Sequence, residues 1–181
     1  MAILPDTSDW TWVLERPCTT CGLHAGEVLF DELPGLIRDN SSAWPAVLTR
    51  ADAAVRPNDH TWSALEYAAH VRDCCRLFAE RLGRALGEDD PQLADWDQDA
   101  TAIAARYDLQ DPQAVGRELE VAAASVADAF AGVSVSDRGR SARRSDGASF
   151  TVTTLGQYFL HDIVHHLHDV AGDSRNAPGA G

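Results

Sequence analysis

The sequence predicts an all-α fold: a four-helix bundle with long crossovers, an irregular N-terminal arm, and a short β-like hairpin before the last helix. Three observations predict it. Apolar residues recur at 3–4 spacing in four long windows. Strand and helix patterns do not alternate as they do in a parallel α/β chain. The connections between windows are long, as in bundles with crossovers. Length and composition agree, since 181 residues with 45% hydrophobic and 24% charged side chains suit one folded domain with a real core. The expected divisions are an arm over residues 1–30, a bundle over 31–172 and a disordered tail over 173–181.

Each element has a local reason. In the first helix, expected over 32–49, Leu33, Leu36, Ile37, Trp44, Val47 and Leu48 share helical spacing. Asp31 serves as its N-cap and Pro34 is tolerable in the first turn. Pro45 should kink this helix or end it early, because proline removes a backbone donor. Ser63-x-x-Glu66 has capping-box spacing and starts a second helix that stops at Gly87. DQDATAIAARY is a candidate short helix in an otherwise acidic connection. Asp111-Pro112 opens a third long helix, with aspartate as cap and proline in the first turn. The stretch around Ser145-Asp146-Gly147 reads as a hairpin whose best strand is Ser149 to Val152. Thr153 or Thr154 then caps the last helix, which Gly172 ends.

Charge limits the function. Twenty-eight acidic against 15 basic residues give a formal net charge of −13, which repels a phosphate backbone, so nucleic acid is not an expected partner. No window reaches the roughly 18 apolar residues of a membrane span, and no export signal opens the chain, so no membrane partner and a cytoplasmic location are expected. Without export, Cys18, Cys21, Cys74 and Cys75 are expected as reduced thiols or metal ligands. Arg138, Arg140, Arg143 and Arg144 are candidates to hold an anionic cofactor or substrate group, though solvated surface arginines are the simpler account. The expected partners are a small-molecule substrate and a second copy of the chain, paired as a homodimer through an exposed apolar helix face.

Histidine spacing carries the chemistry. Four of the seven histidines, His161, His165, His166 and His168, fall within eight positions of the last helix. His161 and His165 are one turn apart on one face, while His166 points away and is expected to be exposed. An i, i+4 pair of imidazoles can hold one metal. Asp162 stands where metalloproteases carry glutamate, but it is one methylene shorter, which argues against a protease. A stable site needs a third ligand, and His70 on the inner face of the second helix is the leading candidate. Glu66 is read as the capping-box residue rather than a histidine partner, and the tryptophans as packing anchors.

WSALEYAAH, with Trp62, Glu66 and His70, and TLGQYFLHDIVHHLHDV downstream resemble the two signature segments of the DinB-like superfamily. The resemblance spans roughly residues 31–172. It implies a four-helix bundle holding a divalent metal, zinc or nickel, on three histidines that fall on His70, His161 and His165. It also implies thiol-centred chemistry, since mycothiol and bacillithiol transferases and a mycothiol-dependent maleylpyruvate isomerase are members. The function expected is a metal-dependent thiol S-transferase or isomerase using a low-molecular-weight thiol such as mycothiol. The alternative is a non-catalytic metal- or ligand-binding module.

Cys18-Thr19-Thr20-Cys21-Gly22 departs from the family pattern. Three readings stand for it: thiols that ligate nothing; a second zinc site completed by His24, His60 or one of Cys74 and Cys75; or a redox or active-site arm that folds over the bundle mouth and brings a cysteine to the histidine metal.

Overall fold

The computed structural model describes residues 10–172. The predicted tail and the first nine residues of the arm lie outside them. Among the described residues there are five α-helices: α1 (Leu33–Leu48), α2 (Ala64–Gly87), α3 (Gln98–Ala104), α4 (Pro112–Ala131) and α5 (Val152–Gly172). The four long ones form the bundle. α4 packs on α1 and α2, and so does α5, so α1 lies diagonally opposite α2. α1 and α2 follow each other in the chain without packing closely, which is why the connection over residues 49–63 must be long, whereas α2 and α4 are direct neighbours.

Most helix starts follow the sequence. The Ser63 hydroxyl accepts from the Glu66 amide while the Glu66 carboxylate accepts from the Ser63 amide, a reciprocal cap on α2. Asp111 caps α4 one way, its carboxylate accepting from the Ala114 amide, with Pro112 in the first turn. Two expected caps differ. Asp31 lies in a 3₁₀ turn (Phe30–Glu32) and binds Arg138, and Glu32 takes the cap position of α1 with no side-chain hydrogen bond to the helix. On α5 the cap is Thr151, whose hydroxyl accepts from the Thr154 amide. Pro45 does not end α1 early; it falls in the last turn, where one missing donor is tolerated.

A small sheet closes one end of the bundle. The expected hairpin pairs β2 (Ser141–Arg144) with β3 (Ser149–Thr151) antiparallel, Ala142 opposite Phe150. A two-residue strand that the sequence does not signal, β1 (Gln92–Leu93), adds parallel to β2. The core between the long helices is built from Leu33, Ile37, Trp44, Leu65, Phe78, Leu119, Phe130 and Phe159.

The arm is not loose. Its two 3₁₀ turns, Thr11–Leu14 and Ala25–Glu27, pack on each other and on α5, and Val13 and Ala25 have no exposed surface. The side-chain amide of Gln157 on α5 donates to the carbonyls of Gly26 (3.2 Å) and Val28 (2.8 Å), tying the arm down. The arm thereby reaches the same helix that carries the clustered histidines.

Candidate metal centre

α5 bears the histidines because its apolar positions, Leu155, Phe159, Leu160, Ile163 and Val170, fix its rotation in the bundle. That rotation directs His161 and His165 toward the arm. The four donor atoms of Cys18, Cys21, His161 and His165 lie within 4.8 Å of one another. Cys18 Sγ is 3.5 Å from His165 Nδ1. His161 is 4% exposed, and its Nε2 is buried without a hydrogen-bond partner. Trp10 from the arm lies over both rings, with centroids 5.7 and 5.2 Å away.

His70 falls in a second group with Asp162 and His166, again with donor atoms within 4.8 Å. Its ring stacks on Trp96 (5.2 Å, 5° between planes), and its Nε2 is 3.3 Å from Cys74 Sγ. Its Nδ1 is buried and unpaired. The predicted triad is thus distributed over two groups: His161 and His165 beside the cysteines, His70 deeper in the bundle. Both unpaired ring nitrogens belong to that triad.

A continuous polar path joins the groups. Cys74 Sγ donates to Asp162 Oδ2 at 3.1 Å. Asp162 Oδ1 is 3.4 Å from His166 Nε2, whose Nδ1 is 3.3 Å from Asp169. The other Asp169 oxygen is 3.7 Å from His165 Nε2. His166 is therefore not the exposed residue the helical wheel suggests. Its side chain is 17% exposed because Tyr67 and His70 of α2 lie against its ring. Asp162 belongs to the second group, and Asp169, between His166 and His165, links that group to the first.

Electrostatics separates the histidines by environment. Burial lowers His70 to about 3, helped by the nearby His166 charge. Burial and the neighbouring His165 lower His161 to about 4. Both are neutral at pH 7, the state a metal ligand needs. Burial lowers His166 as well, yet hydrogen bonds to Asp162 and Asp169 prevail and carry it up to about 9. Burial also pushes Cys75 up to about 12 and Cys74 well above the usual thiol value, so these two are inert thiols. At Cys18 burial opposes ionisation, but the backbone amides of Cys21 and Thr20 outweigh it and favour the thiolate.

These shifts set a pH dependence for the metal-free protein. His70 and His161 bind protons in the unfolded chain near 6.5 but not in the folded one, so stability falls as pH drops from about 6.5 toward 4. His166 has the opposite sign: its contribution is complete below 6.5 and is lost as pH rises through about 9. Melting temperature should therefore decline on both sides of roughly pH 6.5. In His166→Gln the decline between 6.5 and 8.5 should vanish, before thiol ionisation in the unfolded chain contributes. A wild-type profile flat over that interval would contradict the assignment.

His161 and His165 stand in the wall of a cleft of about 970 Å³, of the size that takes a small molecule. Trp62, Trp96 and Tyr158 supply apolar surface, and Arg81 and Arg144 the positive charge. Asp95, Asp97 and Asp99 supply negative charge in the same lining. The arginine group of the sequence does not act together. Arg138 binds Asp31, Arg140 donates to the carbonyls of Ala85 and Glu88, and Arg143 pairs with Asp90. Arg144 alone of the four lines the cleft, held by Asp146 and the Tyr158 hydroxyl. Glu66 does not reach a histidine; it binds Arg56 and closes the cap on α2. His24 pairs with Glu27, so it does not complete the cysteine pair. Nor is Trp96 only a packing anchor, because its ring stacks on that of His70.

No helix among the described residues is long and apolar enough to cross a membrane. Comparison with known proteins agrees with the fold. The solved structure of YfiT from Bacillus subtilis, described as a probable metal-dependent hydrolase with an unusual four-helix bundle topology, superimposes with a TM-score of 0.64 at 16% identity, covering 97% of this chain and 95% of that one. No curated protein matches the sequence. The DinB superfamily matches over residues 36–170, which takes in α2 and α4 whole and most of α1 and α5 but not the cysteine arm, and the chain belongs to that superfamily.

Proposed function

We propose that this protein binds a divalent metal on His161 and His165 and uses it on a small molecule held in the adjacent cleft. The observation that carries the reading is the buried, unpaired Nε2 of His161 beside the cleft. An orphaned ring nitrogen costs about 1–3 kcal/mol, and a bound cation removes that cost. The donor chemistry fits, since both imidazoles are neutral at pH 7 and Asp169 faces His165 Nε2. A divalent ion there supplies positive charge that lowers the pKa of a thiol or water bound to it.

The chemistry we assign is thiol transfer or isomerisation with a low-molecular-weight thiol such as mycothiol. YfiT's description as a probable metal-dependent hydrolase is compatible with the same use of a metal to activate a nucleophile. Arg81 and Arg144 would hold an acidic group of a ligand, while Trp62 and Trp96 exclude water from its apolar part. One observation favours a second reading, a non-catalytic metal module: two cysteines lie beside the histidine pair, and four protein donors leave a tetrahedral ion no open position.

Elemental mass spectrometry on tag-free protein is expected to find about one zinc or nickel per chain, lost in His161→Ala and in His165→Ala. Mycothiol-dependent consumption of an electrophilic aryl chloride should require that metal. Metal without turnover across a panel of thiols would select the module. A metal-free protein that stays so after zinc and nickel are added back would remove both readings.

A further inference from the structure

The two metal-ligating motifs of this chain are each half a site. A CxxC knuckle offers two sulfurs and an HxxxH turn two nitrogens, whereas a structural tetrahedral ion takes four protein donors. The fold joins the halves across 140 to 147 positions of sequence.

The knuckle is built for ligation. The Cys18 amide donates to the Leu23 carbonyl at 2.8 Å and the Gly22 amide to the Cys18 carbonyl at 2.9 Å. Gly22 has φ +79°, a left-handed conformation that glycine adopts without strain and that closes the turn. Cys18 is buried, Cys21 half-buried, and both are free thiols.

The distances suit an ion. With metal–sulfur bonds of about 2.3 Å and metal–nitrogen bonds of about 2.0–2.1 Å, a tetrahedron has edges of about 3.3–3.8 Å. The 3.5 Å separation of Cys18 Sγ and His165 Nδ1 is such an edge. Every other pair in the group is within 4.8 Å, which small side-chain rotations close. Asp169 faces His165 Nε2, so a proton placed there leaves the Nδ1 lone pair directed at Cys18. The unpaired Nε2 of His161 supplies the fourth corner. Charge also balances, because two thiolates cancel a dication in a place where an uncompensated charge would be costly.

From this geometry we infer that Cys18, Cys21, His161 and His165 form one tetrahedral zinc-class site, in which the N-terminal arm supplies half the ligands and is clasped onto the last helix. The inference rests on the metal reading above, since it uses the same two histidines, and of the two readings it takes the non-catalytic module, because four protein donors leave the ion no open position. It differs from the triad expected from sequence in replacing His70 by two sulfurs. It also fixes the metal's class: sulfur donors favour zinc over the oxygen-seeking magnesium and manganese.

The test uses the full chain loaded with cobalt(II) as a spectroscopic substitute for zinc. The expected spectrum has an intense thiolate-to-cobalt charge-transfer band and tetrahedral ligand-field bands. Cys18→Ser/Cys21→Ser should abolish the charge-transfer band. It should also weaken metal binding by about a hundredfold or more, since even an outer hydrogen-bond partner of a ligand costs about 10–100-fold. His70→Ala should leave the spectrum in place. A second measurement needs no variant: zinc should protect both arm thiols of the wild-type protein from N-ethylmaleimide. A spectrum without charge transfer, thiols alkylated equally with and without zinc, or metal lost in His70→Ala but kept in the cysteine variant would overturn the inference while leaving a metal on the histidine pair. Metal retained in His161→Ala/His165→Ala would overturn the reading beneath it as well.

Discussion

Gly26→Ala is expected to lift the N-terminal arm off the bundle and weaken metal binding by about a hundredfold, the loss that follows when the arm's ligands leave the site. A Cβ at this position would fall on the carbonyl oxygen of Leu14 and 2.9 Å from its carbon. Both are backbone atoms, so no rotamer change relieves the clash. Either the turn holding Gly26 or the turn holding Leu14 must move, and the two pack on each other and on α5. Cys18 and Cys21 lie between those turns in sequence and move with them. The helices should keep their circular dichroism, because the substitution touches none of their contacts with one another. Limited proteolysis should cut the arm of the variant faster than that of the wild type, and competition with a zinc chelator should report the weaker site. An arm as protected as in the wild type, with unchanged zinc affinity, would show that the clasp does not depend on this approach.

The second large effect is on stability. Phe130→Ala is expected to cost about 3–5 kcal/mol, the range for removing a large aromatic from a packed core. Phe130 has no exposed surface, stacks toward Phe159 at 6.4 Å and meets Phe30 edge-on at 6.0 Å. The glycine at 156 lets it approach α5, since a Cβ there would lie 2.8 Å from its ring. A loss of this size is a large part of the 5–15 kcal/mol that holds a domain together. Urea unfolding measures it, and a loss below about 1 kcal/mol would mean the site collapses without leaving a cavity.

The bundle was legible because its long helices repeat an apolar pattern over many turns, and because Ser63-x-x-Glu66 and Asp111-Pro112 are local signals that no tertiary contact overrides. The caps at Thr151 and Glu32 were not, since neighbouring residues offered equally good hydroxyl and carboxylate groups. Strand β1 has only two residues, too few for any period. At the site, the spacing of His161 and His165 placed them on one face, and the structure keeps them together. What the spacing lacked was the surroundings of α5. A helical wheel sends His166 outward, but Tyr67 and His70 of α2 lie against its ring, and two acids on its own helix hold it there. The meeting of Cys18 with His165 depends on how the arm docks, which no local pattern records. The count of donors was the available clue: two motifs, each two ligands short of a tetrahedral site.

The most direct test of the metal centre is X-ray absorption at the zinc edge of the zinc-loaded wild-type protein. The account predicts two sulfurs at about 2.3 Å and two imidazole nitrogens at about 2.0–2.1 Å, with the multiple scattering of histidine rings. A shell of nitrogen and oxygen alone would contradict the cysteine clasp, and a shell without imidazole scattering would contradict the histidine pair on which the whole reading stands.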